Sequence, residues 1–462
     1  MRPLSATIDR RDRLLLALIF VLALIIRIGF ALAMPYDSGD WVLYRNVAEN
    51  IYRGCGVAVT IPGVGDCVPH FGGNQLPLFP AFAAAVWHLS GHSNVAILLV
   101  QSLLSAASIA YLTYAVRRTF TRPAALLAGV LLACSPVGAI YAGNLETELL
   151  TLAATNWVLA ELLLSIEVGR LRTWPLALAL TVAVWLRMDS VLLLAPVALV
   201  AYAIGPKPRL RRAITSWGVV TAIVAASCLA WSARNVAVGL PALPRPWVKT
   251  DGTYLARGYT DWVTTWVVGQ QERGDALYYD PRDTRHFRLP DHAYSSPEEH
   301  AEVDRLLAIT RATPGTTIPP LAAAGFEHLA RVREAGLDPV DRVRRFAART
   351  RALSARWFWP FAQGVGDGRD RVSVTDLYRF ALTLAVLLAA AIGSRRTRLF
   401  AAASVLYASA RVIFFAAGAN TELRYLVELS PFFELTAALI AAELLARLAL
   451  PRSNLARGAA TT

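Results

Sequence analysis

The chain has 462 residues, of which 55% are hydrophobic and only 17% charged, with a mean hydropathy of +0.44. That balance excludes a water-soluble globule, because too little polar surface is available to clothe a core of this size. The formal net charge of +13 comes almost wholly from arginine set in short connections between apolar runs, a positive-inside pattern that argues for a polytopic membrane protein and against nucleic acid as a partner.

Ten stretches approach the roughly 20 apolar residues that a spanning helix needs. Arg2, Arg10, Arg11 and Arg13 precede the first, 14–34, so the N-terminus is expected in the cytoplasm with this span pointing outward. Ala31-Leu32-Ala33 resembles a signal-peptidase site, but the run is long for a cleavable signal and contains Arg27. The other predicted spans are 95–116, 123–141, 149–166, 174–186, 191–204, 214–231, 377–392, 399–417 and 425–448. Connections at 117–122, 170–172, 207–212 and 395–398, and the tail from Arg452, carry the basic residues. Every second connection is therefore cytoplasmic, as are both termini.

Between the first two spans, 77–90 is too short to cross and reads as an interfacial helix. Cys55 and Cys67 lie just before it, on the side where thiols oxidise, and are expected to form a disulfide. Cys134 and Cys228 fall inside spans and read as small apolar core residues. The long hydrophilic stretch before the last three spans is predicted to be mostly helical, around 298–309 and 341–357. In the latter, Val343, Phe346, Ala347, Leu353 and Phe358 recur at near-helical spacing, as if packed on the membrane face. The expected fold is thus an all-α polytopic membrane protein with about ten transmembrane helices. It divides into a cytoplasmic basic tail 1–13, a transmembrane module 14–234 with a first outer loop 35–94, an outer region 235–375, C-terminal spans 376–448 and a cytoplasmic tail 449–462.

A charge at mid-bilayer costs on the order of 2.5–3.5 kcal/mol by insertion scales, so ionisable groups near the membrane need a reason. Here they collect at the outer ends of the predicted spans: Asp37, Asp40, Glu146, Glu148, Arg187, Asp189, Arg234, Glu422 and Arg424. Asp37 or Ser38 could simply cap the helix that follows, with Asp40 a first-turn acid favoured by the helix dipole. A carboxylate fixed there could instead serve as a general base toward an attacking hydroxyl. Glu146 and Glu148 open a span and share that ambiguity. Arg187, Arg234 and Arg424 could snorkel to headgroups, or together hold a phosphate or diphosphate, to which guanidinium is matched. Arg27 and Arg411 lie deeper and could pair with acids or reach the same phosphate. His70, His286, His292, His300 and His328 have no zinc-ligand spacing, and Gly72-Gly73 lacks the context of a nucleotide loop.

In order and spacing these features resemble the polytopic GT-C glycosyltransferases of the family 39 kind, similar to protein O-mannosyltransferases and aminoarabinose transferases. Asp40, Tyr44 and Ala48 look like the Asp-x-x-x-Tyr-x-x-x-Ala after the first span, Gly54 and Gly56 like the Gly-x-Gly that follows, and 75–80 like the Pro-rich entry to the interfacial helix. Glu148 and Arg187 resemble an acid and an arginine at span ends. Trp231 to Asn235 is similar to a Trp-x-x-Arg-Asn, and Glu422 to Tyr425 to an Arg-Tyr element before the last span. Two departures stand out: Trp41 follows Asp40 where a second acid often stands, and Gln75-Leu76 replaces the His or Pro that often precedes the proline.

The resemblance implies transfer of a sugar from a polyprenyl-phosphate donor to an acceptor protein, lipid or glycan at the outer face of a bacterial cytoplasmic (inner) membrane, usually with inversion. It makes Asp40 the base or acceptor-positioning acid, supported by Glu148 and Asp37. A divalent metal, Mg or Mn, held by Asp40 and Glu148 is left open. Arg234, Arg424 and Arg187 would hold donor phosphate, and Tyr44, Glu146, Glu422, Arg27 and Tyr425 would line the substrate site. The rival readings are a secondary transporter and a non-catalytic protein that binds lipid-linked sugar.

Overall fold

The computed structural model describes residues 8–35, 39–61, 65–71, 76–204, 209–240, 242, 257–277, 281, 287–313, 318–359 and 373–449. Helix α1 (Arg10–Ala33) is launched by a capping box in which Asp9 and Asp12 each accept the other's backbone N–H. The chain then forms α2 (Gly39–Tyr52), the antiparallel hairpin β1 (Ala58–Ile61) and β2 (Gly65–Pro69), and α3 (Leu78–Ser90). This hairpin is the one departure from an all-α chain among the described residues. It is held by Asn46 of α2, whose amide accepts from Thr60 N at 2.8 Å and donates to Thr60 O at 2.9 Å. Cys55 and Cys67 are joined across it. Rather than only lying along an interface, α3 buries Phe79, Ala83 and Trp87 against α2, with Trp41 and Tyr44 meeting their rings edge-on.

The bundle continues with α4 (Asn94–Thr119), α5 (Arg122–Ala133), α6 (Pro136–Ile140), α7 (Glu148–Val168), α8 (Thr173–Leu186), α9 (Leu194–Ile204) and α10 (Arg209–Ala237). It closes with α16 (Val374–Ile392), α17 (Arg395–Ala417) and α18 (Ser430–Ala449). Short 3-10 turns, Met188–Leu193 and Leu423–Leu429, lead into α9 and α18. Eight of the described helical segments are long and apolar enough to cross a membrane. The expectation of ten exceeds this by α8 and by the Met188–Ile204 segment, which are apolar but shorter. Centrality follows from burial: α7 is wrapped by protein over 89% of its apolar window, whereas the windows in α1 and α10 are buried over only 22% and 17% and face outward. Cys134, at the end of α5, proves exposed rather than the core residue expected, whereas Cys228 is half-buried and packs against the main core.

One end of the bundle is basic and paired. Asp12, fully buried, takes Arg117 at 2.8 Å and Arg122 at 2.9 Å, and Arg118 pairs with Glu167. At the opposite end α1, α8, α10 and α17 stop while α2, α7 and the two 3-10 turns begin.

Beyond that end lies a helical unit with its own core. Its helices are α11 (Arg257–Trp266), α12 (Gln270–Leu277), α13 (Pro297–Ala312) and α14 (Pro320–Gly336), packed around Tyr259, Trp262, Trp266, Leu306 and Phe326. A Cβ at Gly258 would lie 2.1 Å from Ala323 O, so only glycine permits this approach of α11 to α14. Helix α15 (Pro339–Phe358) joins unit to bundle. Its C-terminal half sinks Leu353 and Trp357 into the main core, and Arg349 caps α11 by donating to the carbonyls of Val267, at 2.8 Å, and Thr264. Of the stripe expected to lie on the membrane face, Leu353 is buried in the main core and Val343 is 65% exposed.

Candidate active site

The acids and arginines expected at span ends converge where helices break. Arg187 ends α8 with extended backbone, and Asp189 begins the following turn. A helix break leaves carbonyls and amides unpaired and turns side chains inward. Arg187 is 3% exposed and sits amid three carboxylates: Glu148 at 2.8 Å, Glu428 at 3.0 Å and Asp189 at 3.3 Å. Arg411, fully buried on α17, pairs with Asp189 and Glu428 at 2.5 Å each and donates to Tyr425 O at 2.7 Å.

A second shell of charge adjoins it. Arg424 binds Asp40 at 2.6 Å and Glu422 at 2.7 Å, with Glu146 at 3.8 Å. Glu422 in turn takes Arg273 of α12 at 2.6 Å, and Arg273 also donates to Asn420. Tyr425 divides the two groups. Arg187 and Arg424 each stand 5.2 Å from its ring centroid, and Phe415 stacks on it at 4.7 Å. Tyr44, buried beneath Asp40, is held protonated well above the usual phenol range by burial and then by the Asp40 and Glu148 charges.

Among the described residues this assembly holds four guanidinium groups and six carboxylates. Arg187 and Arg411 are sealed, whereas Arg424 and Asp40 keep side-chain exposures of 25% and 28%. The Asp40–Arg424 pair is thus the part of the assembly open to solvent, and the buried network lies behind it. Each of the four guanidinium groups is matched by at least one carboxylate.

Two predicted participants stand elsewhere. Arg27 donates to the carbonyls of Leu132 and Ala133, both at 3.0 Å, which Pro136 leaves stranded at the end of α5, so it mends a helix break rather than reaching the phosphate position. Arg234 donates to Val57 O at 2.7 Å and His70 O at 2.8 Å, with its guanidinium over Trp231, and so clamps the hairpin. His70 is buried there, and burial, then the Arg234 charge, lowers its pKa to about 4. Asp37, Gln75 and His286 lie outside the described residues. Among those described, no group of three His, Cys, Asp or Glu side chains is arranged to hold a metal. Asp40 and Glu148, suggested for one, are each bound to a guanidinium and in this arrangement do not fit a divalent cation.

Glu428, Asn420 and Arg273 were not anticipated. Glu428 could have been found, since an acid inside an apolar run needs a partner. Arg273 could not, because it sits in an ordinary polar helix and its role depends on where α12 docks.

Residues 74–231 match the family described as dolichyl-phosphate-mannose-protein mannosyltransferase. The match covers about a third of the chain and supports a glycosyltransferase of the GT-C type. No curated protein matches the chain. Among solved structures it is similar to the Archaeoglobus fulgidus oligosaccharyltransferase tethered with an acceptor peptide. Identity is 13% over 95% of this chain and 50% of that one, with a TM-score of 0.49, so the chain spans half that protein's length. ArnT from Cupriavidus metallidurans is similar at 16% identity in both its forms. The apo form covers 92% of this chain and 77% of that one at a TM-score of 0.38, and the form bound to undecaprenyl phosphate covers 92% and 78% at 0.39.

Proposed function

We propose that the protein moves a sugar from a polyprenyl-phosphate donor to an acceptor hydroxyl at the outer face of the membrane, with Asp40 as the base. The observation that carries this reading is the partly exposed Asp40–Arg424 pair, 2.6 Å apart, backed by a sealed ion network at one end of the bundle. The opposite end holds the arginine-bearing connections, which supports an exterior position for the pair by the positive-inside rule.

The charge pattern suggests how the two residues are coupled. Docking of the donor phosphate draws Arg424 from Asp40, which converts a paired carboxylate into an available base. Asp40 then takes the acceptor hydroxyl's proton as its oxygen forms a bond to the anomeric carbon. The bond from that carbon to the phosphate oxygen breaks, and its electron pair leaves on polyprenyl phosphate. Arg424 offsets the charge that develops there. Attack opposite the leaving phosphate inverts the anomeric centre. A lipid-borne donor keeps its tail in the bilayer while its head meets this end of the bundle, so no nucleotide pocket is required.

The test is product analysis by mass spectrometry after membranes carrying the protein are given labelled polyprenyl-phosphate sugars. Label is expected on an acceptor, and Asp40→Asn is expected to lower transfer by at least about 100-fold, the range of general base catalysis, with thermal stability unchanged. Transfer at the wild-type rate by Asp40→Asn would refute the assignment. A transporter instead predicts movement of an intact solute with no new glycosidic bond.

A further inference from the structure

The helical unit beyond the bundle carries a cleft that the transfer machinery does not use. It has a volume of about 390 Å³ and lies between α11, α14 and the start of α15. Its lining carries three arginines, Arg333, Arg344 and Arg345, together with His292, against one lining acid, Asp341. Arg344 pairs with that acid at 3.1 Å, and Arg333 is tied to Glu299 at 3.1 Å. Arg345 is different. Among the described residues it forms no hydrogen bond or ion pair, although it is half-buried and faces the Arg333 charge.

Burial, and then Arg333, hold the Arg345 guanidinium below its usual range, and the nearby Glu334 and Asp341 charges offset this only in part. Trp266 closes the cleft at its base, 3% exposed, and its indole N–H has no acceptor. A half-buried cation crowded by like charge is costly, and an oxyanion-bearing ligand in the cleft would offset that cost. The volume accommodates a sugar ring as well as its anionic group.

We infer that this cleft binds a saccharide through a phosphate or carboxylate group that the sugar carries, with Arg345 as the principal contact. The cleft is connected to the Asp40–Arg424 pair by one short helix. Glu272 of α12 takes His292 of the cleft at 3.1 Å, and the next residue, Arg273, binds Glu422 at 2.6 Å. A saccharide held here is placed as the acceptor. That role rests on the sugar-transfer reading above, whereas binding itself does not.

Calorimetric titration of the full chain in detergent tests this with glucose 6-phosphate, glucuronate, inorganic phosphate and neutral glucose as probes. The two anionic sugars are expected to bind saturably and more tightly than inorganic phosphate, with no heat from glucose. Arg344→Gln, at an exposed position, combined with Arg345→Gln, at the half-buried one, is expected to weaken that binding by about tenfold or more. Asp341→Asn removes only the opposing charge and is expected to tighten it. Asp40→Asn is expected to bind as wild type does, so a failure of the catalytic reading leaves a distinct record from a failure of this one. Equal binding of glucose, indifference to the double substitution, or no saturable binding would overturn the inference. A final arm uses nanodiscs. Loss of glucose 6-phosphate binding in phosphatidylglycerol but not phosphatidylcholine would assign the cleft to lipid headgroups and overturn the saccharide.

Discussion

Arg411 shows how much of this site is spent on placing a few atoms. Its guanidinium reaches Asp189, Glu428 and the Tyr425 carbonyl with no exposure to solvent, and the carboxylates it holds also hold Arg187. Removing one partner from such a network leaves uncompensated buried charge, which costs about 3–5 kcal/mol. Arg411→Met is therefore expected to lower the thermal midpoint of the detergent-solubilised protein sharply, whereas Asp40→Asn, at the partly exposed edge, is expected to leave it in place. A small shift for Arg411→Met would mean that the network contributes neither stability nor placement. Glu428 was legible as an acid in need of a partner, but its partners were not. They come from three other segments, and nothing near it in sequence shows which of them it meets.

At the scale of elements, the first outer loop is a small device whose parts come from distant segments. The hairpin is anchored by Asn46 from α2, by the Cys55–Cys67 link and by Arg234 at the end of α10. Arg234→Ala removes two charge-assisted bonds to carbonyls, worth about 1.5–3 kcal/mol each. Amide hydrogen exchange over residues 57–70 is expected to accelerate while the bundle amides are unchanged; equal protection would show that the clamp is redundant. His70 adds a pH dependence to the same loop. Its pKa falls from 6.5 to about 4 on folding, so the unfolded loop binds more protons between those values. The hairpin is thus expected to be fully stable above about pH 6.5 and to loosen as pH drops toward 4. Exchange rates corrected for intrinsic pH effects would reveal it, and an unchanged profile would count against a buried neutral imidazole.

The whole molecule joins two cores, one in the bundle and one in the helical unit, through few polar links. Arg273 is the best placed of these, because it ties α12 to Glu422, the same carboxylate that holds Arg424. Arg273→Ala is expected to reduce sugar transfer by about tenfold, the factor that corresponds to about 1.4 kcal/mol. It should also speed proteolysis within 257–313, with the bundle's thermal midpoint little changed. Unaltered proteolysis together with unaltered transfer would show that the unit is held by α15 alone. A ligand in the proposed cleft would give this link a use, since His292 of the cleft meets Glu272, the residue before Arg273.

The sequence by itself determined the membrane class, the positions of the eight long apolar helices and the crowding of acids and arginines at helix ends. Those features are written in composition and periodicity, which act locally along the chain. It also marked Asp40, Glu148, Arg187 and Arg424 for one site. Tertiary structure decided which charges meet. Arg27 and Arg234 carry the same guanidinium as Arg424, yet helix breaks and loop carbonyls claimed them, because in low dielectric each unpaired backbone carbonyl competes for the nearest donor. The hairpin and the docking of α12 were equally invisible beforehand. They depend on contacts between segments far apart in the chain, and no local pattern encodes those.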